Sequence, residues 1–129
     1  MFKNIVIAGI GGFIGTAARY VLSQYIHKIF LTNFPLGTLI INLIGCFLIG
    51  IIIELFNKGN IMSPEVNIFL TVGICGGFTT FSTFSYDSIN MINEYEYINL
   101  IIYLGISIFI GLSLTLAGKY LVNYLWSFK

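Results

Sequence analysis

VNIFLTVGICGGFTTFSTFSY, residues Val66–Tyr86, runs for 21 residues without a charged side chain. Its centre, GGFTTFST (Gly76–Thr83), sets two glycines ahead of three threonines and a serine. The length is enough to cross a hydrocarbon core, which takes roughly 18–20 apolar residues. Glycine loosens a helix, and hydroxyls at membrane depth need partners because no water is there to serve them. The stretch reads as a membrane span whose middle is polar and breakable.

Three further runs flank it. Asn4–Ile26 is interrupted only by Arg19, and Leu36–Ile53 and Tyr97–Gly118 carry no charge. The whole chain of 129 residues is 57% hydrophobic and only 9% charged, with a mean hydropathy of +0.95. A soluble domain carries about 25% charged residues and uses them to cover its core. The expected fold class is therefore an all-α membrane protein with four transmembrane helices, over about residues 4–26, 36–56, 65–91 and 97–122. They form a single domain over residues 1–129, with no stretch left for a soluble one.

The connections are short. Ser63, Pro64 and Glu65 form a helix start, with a capping hydroxyl, a first-turn proline and an acid at the positive end of the helix dipole. The first span does not read as a signal peptide, because Arg19 interrupts it and no small-residue cleavage site follows. A net charge of +1 gives no basis for binding nucleic acid. Lys3, Lys58, Lys119 and Lys129 fall on one membrane face and Lys28, with Arg19, toward the other, a bias weak enough to permit insertion both ways round.

Polar groups at membrane depth are costly and usually functional. Beyond Arg19 they are Thr38 and Asn42 in the second span, Thr71 and the Thr79–Ser85 hydroxyls with Asp87 in the third, and Tyr103, Ser107, Ser113 and Thr115 in the fourth. Thr38 and Asn42 share one helix face, as do Tyr103 and Ser107. Phe78, Phe81 and Phe84 drift round one side of the third helix. Such a strip can line a narrow path. It can also serve helix packing, which is the simpler account of Gly11 with Gly15 and Gly73 with Gly77. A break at Gly76-Gly77 would free carbonyls that suit a small hard cation such as Na⁺, and let a threonine or serine cap the second half-helix. Cys46 and Cys75 read as small core residues, His27 as an interfacial histidine, and Tyr95, Tyr97, Tyr120, Tyr124 and Trp126 as an aromatic belt.

GGFIGTAARY (Gly11–Tyr20), PLGTLIINLIGCFLIG (Pro35–Gly50) and GICGGFTTFSTFSYD (Gly73–Asp87) together resemble the signature segments of the CrcB/Fluc fluoride channel family. The resemblance implies an antiparallel, dual-topology homodimer of four-helix subunits in a bacterial inner membrane. It implies two fluoride pores and a structural Na⁺ at the dimer centre, held by the backbone carbonyls of Gly76 and Thr79. It implies fluoride-pathway roles for Asn42, Phe81, Phe84, Tyr103, Ser107 and Thr38, and an electrostatic, vestibule role for Arg19. Asp87 stands where many relatives carry Glu. Gly111 stands where the path calls for a hydroxyl, with Ser113 and Thr115 as the nearest substitutes.

Fluoride is small and tightly hydrated, so a pore must bring donors close. Asn, Ser, Thr and Tyr supply them, and phenylalanine ring edges carry positive potential. None of these holds a full charge that would trap the ion. Hydrogen fluoride enters a cell as a neutral acid and ionises inside, and an inside-negative potential drives the anion out through a passive channel. No nucleotide motif or catalytic constellation appears, so an enzyme is not expected. The competing reading is a small multidrug-type four-helix exporter, which needs an acid within its first span.

Overall fold

A computed structural model describes residues 1–59 and 62–128. Lys129 and part of the connection between the second and third spans lie outside the described residues. Four helices are long and apolar enough to cross a membrane: α1 (Phe2–Ile29), α2 (Leu36–Asn57), α3 (Pro64–Asn93) and α4 (Tyr97–Trp126). Among the described residues there is no strand. The helices continue a few residues past the expected spans, α4 as far as the interfacial Trp126.

α3 begins as its sequence dictates. Ser63 Oγ accepts the Val66 N–H at 3.3 Å, with Pro64 in the first turn. The winding then widens to i→i+5 bonds over Phe69–Cys75. Gly76–Phe78 return to helix, so the expected break at the glycine pair is corrected: Gly76 has φ −63° and ψ −37°. The interruption falls directly behind, where Thr79 (φ −82°, ψ 161°) and Thr80 (φ −150°, ψ 120°) are extended. The helix resumes over Phe81–Asn93.

Packing explains the offset. A Cβ on Gly77 would lie 3.0 Å from Gly12 Cα, and one on Gly11 would lie 2.9 Å from Gly73 Cα. The glycines thus serve the close approach of α1 to the first half of α3. The threonines take the break because β-branched residues accept extended backbone readily. A second seam joins α2 to α4, where a Cβ on Gly50 would strike the Thr115 backbone. There Thr115 Oγ1 donates to the Cys46 carbonyl at 3.0 Å. α4 carries its own i→i+5 stretch over Ile106–Ile110, which nothing in the sequence foretold.

The small core centres on Leu39, Met91 and the fully buried Tyr103, with Phe34, Leu43, Phe84, Leu100 and Ile106 packed round it. Most other large apolar side chains face outward, as a bilayer requires. At the end that carries the N-terminus, Lys3 pairs with Glu65 at 3.0 Å. Buried Glu54 lies 3.8 Å from Lys58 and 3.9 Å from Lys119, tying α2 to α4.

Candidate functional site

A break inside a span leaves backbone groups that lipid cannot satisfy. Here neighbouring helices supply the partners. Asn42 on α2 brackets Thr80: its Nδ2 donates to the Thr80 carbonyl at 3.0 Å and its Oδ1 accepts the Thr80 N–H at 2.8 Å. Arg19 on α1 donates from Nη1 to the Thr79 carbonyl at 3.2 Å. Thr16 Oγ1 donates to the Gly77 carbonyl at 3.4 Å. Thr80 Oγ1 accepts the Thr83 N–H at 3.2 Å and so caps the second half of α3.

The break deprives several carbonyls of their helical donors, Gly76 and Thr79 among them. In an unbroken helix the Thr80 N–H would serve Gly76 and the Thr83 N–H would serve Thr79. The first goes to Asn42 and the second to Thr80 Oγ1. Gly76 and Thr79 are the two positions that the family resemblance implies as cation holders, and both line the same cavity.

That cavity, about 460 Å³, opens on one side of the subunit between α2, α3 and α4. It gathers Asn42, Gly76, Thr79, Phe81, Phe84 and Ser107, so six of the expected site residues meet on one wall. Phe81 is 78% exposed, its ring standing out from the subunit. An aromatic row runs inward from it. Phe81 and Phe84 have ring centroids 5.6 Å apart, Phe84 and Tyr103 5.2 Å, and Tyr103 meets Phe34 edge-on at 5.8 Å.

Thr38 and Arg19 sit elsewhere. They share a cavity of about 290 Å³ with Thr16, Ser23, Thr80 and Thr83. Thr38 also lines a larger polar hollow of about 600 Å³ at the mouth, beside His27, Asp87, Asn90 and Glu94. Tyr103 joins the two regions: its ring touches Phe84 and its hydroxyl donates to Asp87 Oδ2 at 3.3 Å.

The Tyr103–Asp87 bond went unread in the sequence although a signal existed. Asp87 lies eight residues before Tyr95 and Tyr103 eight after it, mirror positions on an antiparallel helix hairpin. Thr80 was missed as the pivot of the break, for want of any local mark that separates it from Thr79. Ser113 and Thr115 do not replace a hydroxyl at Gly111. Ser113 Oγ donates to its own helix at Phe109, Thr115 is used in the α2–α4 seam, and neither lines the cavity.

The family model described as CrcB-like protein, Camphor Resistance (CrcB), matches residues 6–119. A protein of Azobacteroides pseudotrichonymphae genomovar. CFP2 is 41% identical over 124 residues, 96% of this chain and 99% of its own length. A protein of Clostridium novyi (strain NT) is 50% identical over 88 residues, 68% of this chain and 69% of its own. Both are named fluoride-specific ion channel FluC. One of Methanosarcina acetivorans, named fluoride-specific ion channel FluC 1, is 43% identical over 97 residues, 75% of this chain and 73% of its own.

Proposed function

This chain belongs to the CrcB family, and from that premise we propose that it is a multi-pass bacterial membrane channel passing fluoride passively out of the cytoplasm. The observation that carries the reading is the gathering of Asn42, Phe81, Phe84 and Ser107 round one cavity beside a broken span. These are neutral donors and ring edges, the chemistry that replaces an anion's water without trapping the ion. The exporter reading lacks its essential feature, since α1 contains no acid.

In this reading fluoride enters from the polar hollow past Thr38, passes the Phe84 ring edge and reaches Asn42, Phe81 and Ser107, and Tyr103 donates to it only by releasing Asp87. One N–H of the Asn42 amide bonds Thr80, and its second remains to offer the ion. Arg19 anchors the break at Thr79 and leaves positive charge beside Thr38, which raises the local anion concentration.

The open cavity and the outstanding Phe81 ring fit completion by a second copy of the chain, inserted the other way round. The freed carbonyls of Gly76 and Thr79 are hard oxygen donors and suit Na⁺ at the centre of that dimer. A bound Na⁺ would supply fixed positive charge and cross-link the two broken helices. The Thr79 carbonyl has two lone pairs, so the Arg19 bond leaves one for the cation.

The test is growth. A bacterium stripped of its own fluoride exporters should recover growth in fluoride medium when it expresses this chain. Absence of rescue by a chain verified in the membrane would contradict the channel reading.

A further inference from the structure

We propose that the Cys46 thiol is the donor of this pathway at the level of Gly111, one turn beyond Asn42 and Ser107. The inference rests on the channel reading above and names a residue that reading did not use. Donors on α2 follow a four-residue step from Thr38 to Asn42, and the next step is Cys46. Donors on α4 step from Tyr103 to Ser107, and the next step is Gly111, which has no side chain.

The two steps meet in space. A Cβ placed on Gly111 would lie 3.4 Å from Cys46 Sγ and 4.0 Å from Leu43 Cδ2. The thiol therefore stands beside the place a donor on α4 would occupy. Cys46 is half-buried and lines the cavity of about 460 Å³ together with Asn42, Phe84 and Ser107. Its backbone carbonyl accepts the Thr115 hydroxyl at 3.0 Å, which fixes this turn of α2 against α4. An S–H is a weak donor, and its soft sulfur fills the width that Gly111 leaves open. The donor of this level is thus carried by α2 at the cavity edge, beside the buried Gly111 of α4.

The thiol is also a chemical handle. Cys75 lines the cavity too but is buried at 4% exposure, so a polar thiol reagent reaches Cys46 first.

The experiment measures fluoride efflux from proteoliposomes for the wild type, Cys46→Ala, Cys46→Ser and Cys46→Ala/Gly111→Ser. A hydroxyl on Gly111 has room, since its Cβ meets only ordinary contacts and the sulfur is gone in the double variant. Cys46→Ala should slow efflux about twofold to threefold, the low end of what one neutral hydrogen bond contributes. Cys46→Ser should keep or raise it, and Gly111→Ser should restore the Cys46→Ala loss.

In parallel, a small methanethiosulfonate reagent is applied to a Cys75→Ala background whose own flux is the reference. Mass spectrometry of the modified chain should place the label on Cys46, with efflux blocked as labelling proceeds. Efflux that stays unchanged in Cys46→Ala, or through complete labelling of Cys46, would overturn the inference while leaving the channel reading intact. A loss in Cys46→Ala that Gly111→Ser does not restore would also overturn it, because mere packing damage has that signature. A wild-type chain without efflux would instead overturn the channel reading, and this inference with it.

Discussion

The two halves of α3 are held by different chemistry. The first half lies against α1 backbone to backbone, through Gly11, Gly12, Gly73 and Gly77. The second half starts from two extended threonines and is held by side chains that reach across: Asn42 from α2, Arg19 from α1 and the Thr80 cap. Without a hydrophobic drive between helices in lipid, close van der Waals contact holds the first kind of seam and hydrogen bonds hold the second. The first needs absence of side chains and the second needs specific ones. This is why Gly77 and the hydroxyls adjoin in GGFTTFST: they serve opposite ends of one junction.

The contrast can be broken from either side. Gly77→Leu should have the largest effect. A Cβ there would fall 2.5 Å from the Gly12 carbonyl oxygen, backbone against backbone, with nothing to swing aside. Overpacking of this kind costs about 3 kcal/mol or more. The protein should aggregate on size exclusion in detergent, and a monodisperse variant with native melting would refute the glycine seam.

Asn42→Leu comes next. It strips the Thr80 N–H and carbonyl of their partners, at about 1–3 kcal/mol for each group left unsatisfied. Melting should fall clearly and fluoride flux with it, while an unchanged melting temperature would show that the break does not depend on α2. Thr80→Val keeps the β-branched shape and removes the cap on Thr83. The expected loss is about 1 kcal/mol, read as a modest drop in melting temperature, and no drop at all would remove the cap from the account. Lys3→Gln should do least. The Lys3–Glu65 pair is exposed, with side chains at 71% and 42% accessibility, and such pairs contribute little. A pronounced loss of stability there would mean that this end of the bundle carries more than the seams do.

How much of this was legible follows the same division. The four spans were written in three charge-free runs and one broken only by Arg19, and the start of α3 in Ser63-Pro64-Glu65, because both depend on local sequence. That Gly11 with Gly15 and Gly73 with Gly77 serve packing was legible from four-residue spacing, whereas their meeting in one seam between α1 and α3 was not. The break was foreseen but set at Gly76-Gly77, since local propensity cannot tell a glycine spent on packing from one spent on a kink. The resemblance implied an electrostatic, vestibule role for Arg19; the structure adds a bond to Thr79 that depends on helix approach, which sequence does not state. The wide winding of α4 at Ile106–Ile110 left no mark in ISIFI, a run that would form ordinary helix elsewhere. The candidate site was read mostly by resemblance. Residue chemistry supplied its donors, and only the structure showed that Thr38 and Arg19 stand apart from the cavity wall.

The most direct measurement is fluoride release from liposomes loaded with potassium fluoride and holding the purified chain. Valinomycin balances the charge, a fluoride electrode follows the ion, and potassium chloride serves as the paired control. The account predicts rapid fluoride efflux without chloride efflux, and slowed fluoride efflux in Phe84→Ile with assembly unaltered. No fluoride release from a well-assembled chain, or equal release of both anions, would contradict it.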